Sequence, residues 1–192
     1  AAILLIDQII KISVKTSMEL HESIHVTDWF YISFIENNGM AWGMQLGPKI
    51  LLSLFRVIAI SFLTYYIWLE SKKTSRWGYI ACLSMVLAGA AGNLIDCMFY
   101  GLGFDASTPG HVSQWVGLGN GYAGFLTGKV VDMFWFPLID TTLPSWVPFW
   151  GGERFTFFDP VFNFADACIS VSVVLLLLFY RKELSKISLK RE

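Results

Sequence analysis

Two aspartates stand in short sequence contexts that suit acid–base chemistry. Asp132 ends the segment Gly-Lys-Val-Val-Asp at residues 128–132, and Asp166 ends Phe-Asn-Phe-Ala-Asp at residues 162–166. An ionisable residue in or beside a membrane span is costly, which makes it a candidate for function. Two carboxyl groups that meet can share one proton and activate a water molecule, which is the chemistry of aspartic proteases.

The composition indicates a membrane protein. Of the 192 residues, 55% are hydrophobic and only 15% are charged, whereas soluble domains carry roughly 25% charged residues. Mean hydropathy is +0.55. The net charge of −1 comes without a basic patch interleaved with aromatic residues, so nucleic acid is excluded as a partner. The three cysteines lie in apolar runs, and we interpret them as small buried hydrophobic residues.

Four segments are candidates for membrane spans. A helix needs about 20 mostly apolar residues to cross the bilayer core. Three segments meet this length, namely residues 50–69, 77–99 and 160–180. The fourth begins without Met and is too short as it stands, so we expect further residues upstream to complete a span ending near residue 16. It carries Asp7 and Lys11, which are four residues apart and can pair on one helical face.

The basic residues predict the orientation of these spans. Eight of the 14 Lys and Arg residues fall in two short segments, residues 70–76 and the tail from Arg181. Both segments should face the cytoplasm. Residues 17–49 and 100–159 are then extracytoplasmic, and both termini are cytoplasmic. Arg56 lies near the extracytoplasmic end of its span, and we expect it to extend to the membrane interface.

The extracytoplasmic segments suggest a small sheet at the membrane surface. Residues 24–42 are rich in β-branched and aromatic residues and predict a strand with a turn at Asn37-Asn38-Gly39. In residues 100–159, four tryptophans suit a belt at the membrane interface. They are Trp115, Trp135, Trp146 and Trp150. We further expect Asp159 to cap the last span, with Pro160 in its first turn.

Polar residues share a face in each of the last two spans. Gly89, Asn93 and Asp96 share one face in the third span, where Ala88 and Gly92 also allow close helix packing. Asn163, Asp166 and Ser170 share a face in the fourth. We expect the two faces to meet, either as simple interhelical contacts or as a site. No matching cation is evident near Asp96 or Asp166, and the residues alone favour Asp96 as the partner of Asp166.

Five motifs, in order, resemble those of lipoprotein signal peptidase (signal peptidase II). The strongest are Asn-Leu-Ile-Asp at residues 93–96, preceded by Gly-Ala-Ala-Gly, then Gly-x-Val-Val-Asp at 128–132 and Phe-Asn-x-Ala-Asp-Ala at 162–167. Asp7-x-x-x-Lys11 and Asn37-x-Gly39-x-Ala-Trp are similar to two further family motifs. Each motif is short, but together they cover nearly the whole chain.

The resemblance implies an all-α membrane protein with four transmembrane helices and a small extracytoplasmic β-cradle, forming one peptidase domain over residues 1–192. It assigns catalysis to Asp132 and Asp166, which moves the partner of Asp166 away from Asp96. Polar positions around the site correspond to residues that we expect to bind substrate. They are Asn37, Gly39, Asn93 and Asn163. The family positions matched by Asp7, Lys11 and Asp96 imply structural roles.

The implied reaction is cleavage of a prolipoprotein just before its lipidated cysteine by water that the two aspartates activate. No cofactor and no metal are implied. The partners implied are lipid-modified prolipoproteins, membrane lipids and cyclic-peptide inhibitors such as globomycin. We expect a monomer in the bacterial inner membrane, with its active site on the extracytoplasmic side.

The chain departs from the family pattern in two places. The family usually has Arg directly after Asn-Leu-Ile-Asp, but this chain has Cys97. Arg154 is a candidate to replace that guanidinium. Residues 99–127 and 133–158 are longer than expected, and they could form a lid, a partner surface or a passive interfacial elaboration.

Other chemistries have weaker support. His21 and His25 are four residues apart but have no third ligand nearby, and serine catalysis lacks a suitable base. The competing class is a carrier or lipid-binding protein that uses Asp96 and Asp166 for ion coupling. A carrier would be expected to contain paired repeats or broken helices, which the sequence does not show.

Overall fold

The computed structural model describes residues 1–38, 49–73 and 76–188, the last three by their backbone alone. Five helices account for nearly half of this part of the chain. They are α1 (Ala2–Lys15), α2 (Lys49–Ser71), α3 (Trp77–Ile95), α4 (Phe164–Phe179) and α5 (Arg181–Ser188). The first four correspond to the predicted spans.

Two of these helices are long and apolar enough to cross a membrane. They cover Lys49–Ser71 and Trp77–Gly103, and Phe164–Phe179 is a shorter apolar helix. The second extends beyond α3 because a π-helical turn, Asp96–Tyr100, and a short helical turn, Gly101–Gly103, continue it. A π-helical turn often marks a functional region, since it changes which side chains face inward. Here it directs Asp96 and Cys97 into the buried interior.

Within the described residues, the strands form two separate sheets. Strands β1 (Ser23–Thr27), β2 (Phe30–Asn37) and β3 (Val130–Trp135) form an antiparallel sheet in the order β1-β2-β3. Strands β4 (Ile139–Thr142) and β5 (Arg154–Phe157) form a hairpin within residues 133–158. The fold therefore combines helices with two small sheets, and the predicted all-α class is too narrow.

The predicted single strand over residues 24–42 is wrong in one respect. Thr27 pairs with Phe30, so Asp28 and Trp29 form a two-residue turn between β1 and β2. Asp is a common turn residue because its side chain can bond nearby backbone groups. Strand β2 then ends at Asn37, while Gly39 of the predicted turn lies outside the described residues.

The start of α4 also differs from the prediction. The helix begins at Phe164 with Asn163 as its cap, so Asp159 and Pro160 are not its first residues. The cause is a backbone pairing with β3, because Phe162 and Phe134 exchange hydrogen bonds of 2.8 and 3.0 Å. This pairing keeps the residues before Asn163 extended and attaches the helix start to the sheet.

Close packing of α3 against α1 and α4 depends on small residues. A Cβ atom at Gly92 would lie 2.6 Å from Asp7 Oδ2, and one at Gly89 would lie 2.6 Å from the Ala165 carbonyl oxygen. Glycine at both positions lets the helices approach this closely. The three cysteines are buried and free, as the sequence predicts.

Candidate active site

Asp132 reaches the interior from the third strand of the first sheet. It is the third residue of β3, pairs with Ile35 of β2, and is only 3% exposed. Asn37 at the end of β2 donates a hydrogen bond from its side-chain amide to Asp132 Oδ2. The sheet therefore supplies both an aspartate and one of its amide partners, and Asn37 lies where the sequence predicts a site residue.

Asp166 is positioned by the first turn of α4. Asn163 Oδ1 accepts a hydrogen bond of 2.9 Å from the Asp166 backbone N–H, and Asp166 Oδ2 accepts one of 3.5 Å from the Asn163 backbone N–H. This reciprocal capping box places the carboxylate at the positive end of the helix dipole. Ser170, which the sequence places on the same face, is exposed and does not contribute to this arrangement.

Two asparagine side chains connect the two aspartates. Asn163 Nδ2 donates to Asp132 Oδ1 at 2.7 Å and to Asn93 Oδ1 at 3.1 Å. Asn93 Nδ2 in turn donates to Asp166 Oδ1 at 2.7 Å. Both asparagines are buried. The polar faces of the last two predicted spans therefore meet, as expected.

Burial and the neighbouring carboxylate perturb Asp132. Loss of hydration and the charge of Asp166 together raise the pKa of Asp132 from 3.8 to about 7, although hydrogen bonds from Asn163 and Asn37 act in the opposite direction. A buried acid beside a second carboxylate is a frequent arrangement in active sites. At neutral pH, Asp132 can therefore exist with or without its proton.

A second polar cluster lies directly against these residues. Lys11 Nζ lies 3.0 Å from Asp7 Oδ2 and 2.9 Å from Asp96 Oδ2, and all three side chains are buried. The predicted pairing of Asp7 with Lys11 is confirmed. The expectation that Asp96 has no matching cation is wrong, because the cation comes from α1, which is distant in sequence. Asp96 therefore contacts Lys11.

The surroundings of Cys97 correct the expectation about Arg154 and show a contact of Arg56. Arg154 Nε bonds Asp140 Oδ1 at 2.8 Å on the exposed β4–β5 hairpin, so its guanidinium does not replace the family arginine beside Asp96. Arg56 Nη1 instead lies 3.3 Å from Cys97 Sγ. Arg56 of α2 therefore contacts the π-helical turn that continues α3.

Sequence reasoning missed Gln8. Its Nε2 donates to Asp96 Oδ1 at 3.0 Å and to the Gly92 carbonyl oxygen at 3.2 Å, and its Oε1 accepts from the Tyr100 hydroxyl at 3.1 Å. Gln8 thus links α1 to α3 beside the Lys11 cluster. A polar residue between Asp7 and Lys11 in an otherwise apolar segment could have indicated that Gln8 joins their cluster.

Gly128 has a structural explanation that its motif alone does not give. Its backbone N–H donates to the Cys97 carbonyl oxygen at 2.9 Å. A Cβ atom there would lie 2.3 Å from the Asp96 carbonyl oxygen. Glycine therefore lets the chain entering β3 lie against the end of α3, which brings Asp132 close to the helices.

A family model and individual relatives match nearly the whole chain. The family described as "Signal peptidase (SPase) II" matches residues 1–181. This chain belongs to the signal peptidase II family. A lipoprotein signal peptidase of Porphyromonas gingivalis is 50% identical over 184 residues, which cover 95% of this chain and 81% of that protein. One from Amoebophilus asiaticus is 34% identical and covers 94% of this chain and 75% of that protein.

Solved structures support the fold. Two structures of a bacterial membrane enzyme, determined by the in meso method, match with TM-scores of 0.61 and 0.59. They are 24% and 23% identical and cover all of this chain and 88% and 89% of theirs. As a signal peptidase II, the protein is a bacterial membrane protein and an aspartic protease that acts on signal peptides. The interpretation as a carrier is therefore set aside.

Proposed function

We propose that Asp132 and Asp166 are the catalytic pair of this signal peptidase II and that it cleaves lipid-modified prolipoproteins just before the lipidated cysteine. The observation that carries the proposal is the side chain of Asn163, which bonds Asp132 Oδ1 and caps the helix turn that carries Asp166. Two aspartates from distant segments are thus held in one buried hydrogen-bond network. The substrate class follows from the names of the relatives.

In the first step, water attacks the scissile carbonyl carbon. Asp166, as the carboxylate, takes a proton from the water, and the water oxygen bonds to the carbon. Asp132 gives its proton to the carbonyl oxygen, which yields a neutral gem-diol. The raised pKa of Asp132, about 7, supports its role as the protonated partner.

In the second step, the gem-diol collapses. Asp166 gives its newly acquired proton to the leaving nitrogen, the carbon–nitrogen bond breaks, and Asp132 takes a proton from a diol hydroxyl. Both aspartates return to their starting states. Asn93 and Asn163 keep the carboxylate oxygens oriented through both steps, since each donates to one aspartate.

The proposed placement in the membrane follows from the charges and the helix ends. We infer four spans formed by α1 to α4, with both termini in the cytoplasm and the sheets outside. Asp166 lies in the first turn of α4 and Asp132 lies on a strand, so the pair would sit near the extracytoplasmic surface. Water and a lipidated peptide can both reach that depth. The protein would act as a monomer and bind globomycin through the same site.

Cleavage of a lipidated prolipoprotein in liposomes tests the proposal. Wild type should release the signal peptide, whereas Asp132→Asn and Asp166→Asn should each lose at least about a thousandfold in kcat, because neither Asn can exchange the required proton. The matched control is Asp159→Asn, which alters an exposed aspartate outside the network. It should cleave like wild type.

Two outcomes would contradict the proposal. Retained cleavage by a folded Asp132→Asn or Asp166→Asn variant would reject the catalytic pair. Equal cleavage of lipidated and non-lipidated precursors would reject the substrate assignment while leaving the pair intact. Thermal unfolding of each variant in detergent checks that loss of cleavage is not loss of fold.

A further inference from the structure

The ammonium group of Lys11 has three partners for its three protons. It lies 3.0 Å from Asp7 Oδ2, 2.9 Å from Asp96 Oδ2 and 2.7 Å from Asn93 Oδ1. The Lys11 side chain is fully buried. Because every donor is matched and no water is needed, the direction of each hydrogen bond is fixed.

The contact with Asn93 determines how that amide is oriented. Asn93 Oδ1 accepts from Lys11, so Asn93 Nδ2 must point the other way, toward Asp166 Oδ1 at 2.7 Å. A flipped amide would place its N–H groups against the ammonium and its oxygen against a carboxylate. Both contacts would be repulsive in a buried site, where charges are weakly screened.

The same carbonyl oxygen also orients the second asparagine. Asn93 Oδ1 accepts at 3.1 Å from Asn163 Nδ2, which donates its other proton to Asp132 Oδ1 at 2.7 Å. One acceptor atom therefore receives Lys11 and Asn163 together. Through these two amides, the orientation set by Lys11 extends to both aspartates.

We propose that Lys11 is a positioning residue for the two catalytic aspartates, acting through Asn93, and is more than a counter-ion for Asp7 and Asp96. The proposal rests on the proposed function. Lys11 makes no hydrogen bond to either catalytic aspartate. It orients the amide of Asn93, which donates to Asp166. Its positive charge also opposes the effect of burial and of Asp166 on the pKa of Asp132.

The alternative is that Lys11 only neutralises buried charge. Asp7 and Asp96 have other donors, since Asp7 Oδ1 accepts from the Ala165 backbone N–H at 2.9 Å and Asp96 Oδ1 accepts from Gln8. Removing Lys11 alone would leave two buried carboxylates without their cation and could unfold the protein. The test therefore needs a variant that keeps the charge balance.

The double variant Lys11→Met with Asp7→Asn provides that balance. It removes one positive and one negative charge, so the cluster keeps its net charge. Asp96 keeps its hydrogen bond from Gln8 Nε2, and the unfolding temperature shows whether the variant remains folded. Its kcat on a lipidated prolipoprotein should fall at least about tenfold, with KM changed less than about threefold, because orientation of the aspartates acts on the chemical step.

Lys15 offers a matched control on the same helix. It is also fully buried, and its ammonium lies 2.6 Å from Glu36 Oε1 and 2.8 Å from Ser107 Oγ. Neither partner belongs to the asparagine network. The charge-balanced variant Lys15→Met with Glu36→Gln should therefore keep the kcat of wild type. Equal losses of kcat in both double variants would overturn the proposal.

A titration separates failure of this inference from failure of the proposed function. Infrared difference spectra between each protein and its Asp132→Asn counterpart report the pKa of Asp132 without any substrate. Lys11→Met with Asp7→Asn should shift that pKa upward relative to wild type, and the Lys15 control should not. An unchanged pKa together with unchanged kcat would show that Lys11 only balances charge. If wild type failed to cleave, the titration would still show whether Lys11 acts on Asp132, because it needs no substrate.

Discussion

Asn163 Nδ2 donates a hydrogen bond of 2.7 Å to Asp132 Oδ1, although 31 residues separate the two in sequence. The same side chain caps α4 through its Oδ1 atom. One residue thus joins the strand that carries Asp132 to the helix that carries Asp166. The geometry of the two aspartates and the stability of the first turn of α4 therefore both depend on the side chain of Asn163.

Replacement of Asn163 by Ser and by Ala should separate these two roles. Ser can cap a helix, but it has only one proton to donate and cannot bridge Asn93 and Asp132. We expect Asn163→Ser to be more stable than Asn163→Ala by about 1 kcal/mol in chemical unfolding. Both should lose cleavage by at least about tenfold. Wild-type cleavage by Asn163→Ser would show that capping is the only role of this residue.

Cleavage should decline as pH rises through about 7. The proposed mechanism needs a proton on Asp132, whose pKa burial and the charge of Asp166 raise to about 7. Above that pH the proton is lost, and both carboxyl groups carry charge. The measurement is kcat against pH between 5 and 9 with a lipidated prolipoprotein. A rate that rose steadily across this range would assign the protonated role to a different group.

Asp132→Asn should gain stability relative to wild type as pH rises. The folded pKa of Asp132, about 7, lies above its ordinary value of 3.8, so the folded state binds the extra proton between these values. The stability that this proton contributes is fully present below the ordinary pKa and is lost as pH rises through the folded pKa. Asn cannot accept from both Asn163 and Asn37 as Asp132 does, so the informative quantity is the change with pH. We expect the stability of the variant relative to wild type to rise by about 1–3 kcal/mol between pH 4 and pH 8.

The matched measurement at pH 4 is the control for this effect. There the wild-type carboxyl is protonated in the folded state, so the variant has no advantage from its missing charge and differs from wild type only through its altered hydrogen bonds. A stability difference that stayed the same between pH 4 and pH 8 would mean that Asp132 is not a buried, perturbed acid. Replacing an active-site residue often raises the stability of the protein while its activity is lost.

Sequence alone predicted the elements of the site better than their connections. Apolar runs with few charges located the helices, and the motifs located Asp132, Asp166 and the asparagines. The contact of Lys11 with Asp96 could not be predicted, because it depends on how α1 packs against α3. Likewise, the late start of α4 results from pairing of Phe162 with Phe134, a long-range contact that overrides the local preference for a cap at Asp159.

Gly128→Ala should impair the site, whereas Gly124→Ala should not. A Cβ atom at Gly128 would lie 2.3 Å from the backbone oxygen of Asp96, and backbone cannot move aside easily. At Gly124 the nearest atom is Thr127 Oγ1 at 3.7 Å, an ordinary contact. We expect Gly128→Ala to lose about 2 kcal/mol or more of stability and most of its cleavage activity. Comparable behaviour of the two variants would mean that β3 does not depend on this close approach.

The β4–β5 hairpin has one apolar and one polar face, which sharpens the prediction of an interfacial belt. Cross-strand pairs place Ile139 opposite Phe157 and Thr141 opposite Phe155 on one face. The other face carries the side chains of Asp140, Thr142, Arg154 and Thr156. Near the hairpin tip, Phe149 is 95% exposed. Aromatic residues on such a surface suit the boundary between lipid and water.

We expect the apolar face of this hairpin to contact the bilayer. Spin labels at Phe155→Cys and Thr142→Cys test opposite faces of the same two strands, and the native cysteines are buried, so labelling should be selective. In nanodiscs, the label at residue 155 should collide more with oxygen, which concentrates in lipid, than with a water-soluble nickel chelate. The label at residue 142 should show the reverse. Equal access of nickel to both positions would place the hairpin in water, and its aromatic residues would then need a protein partner.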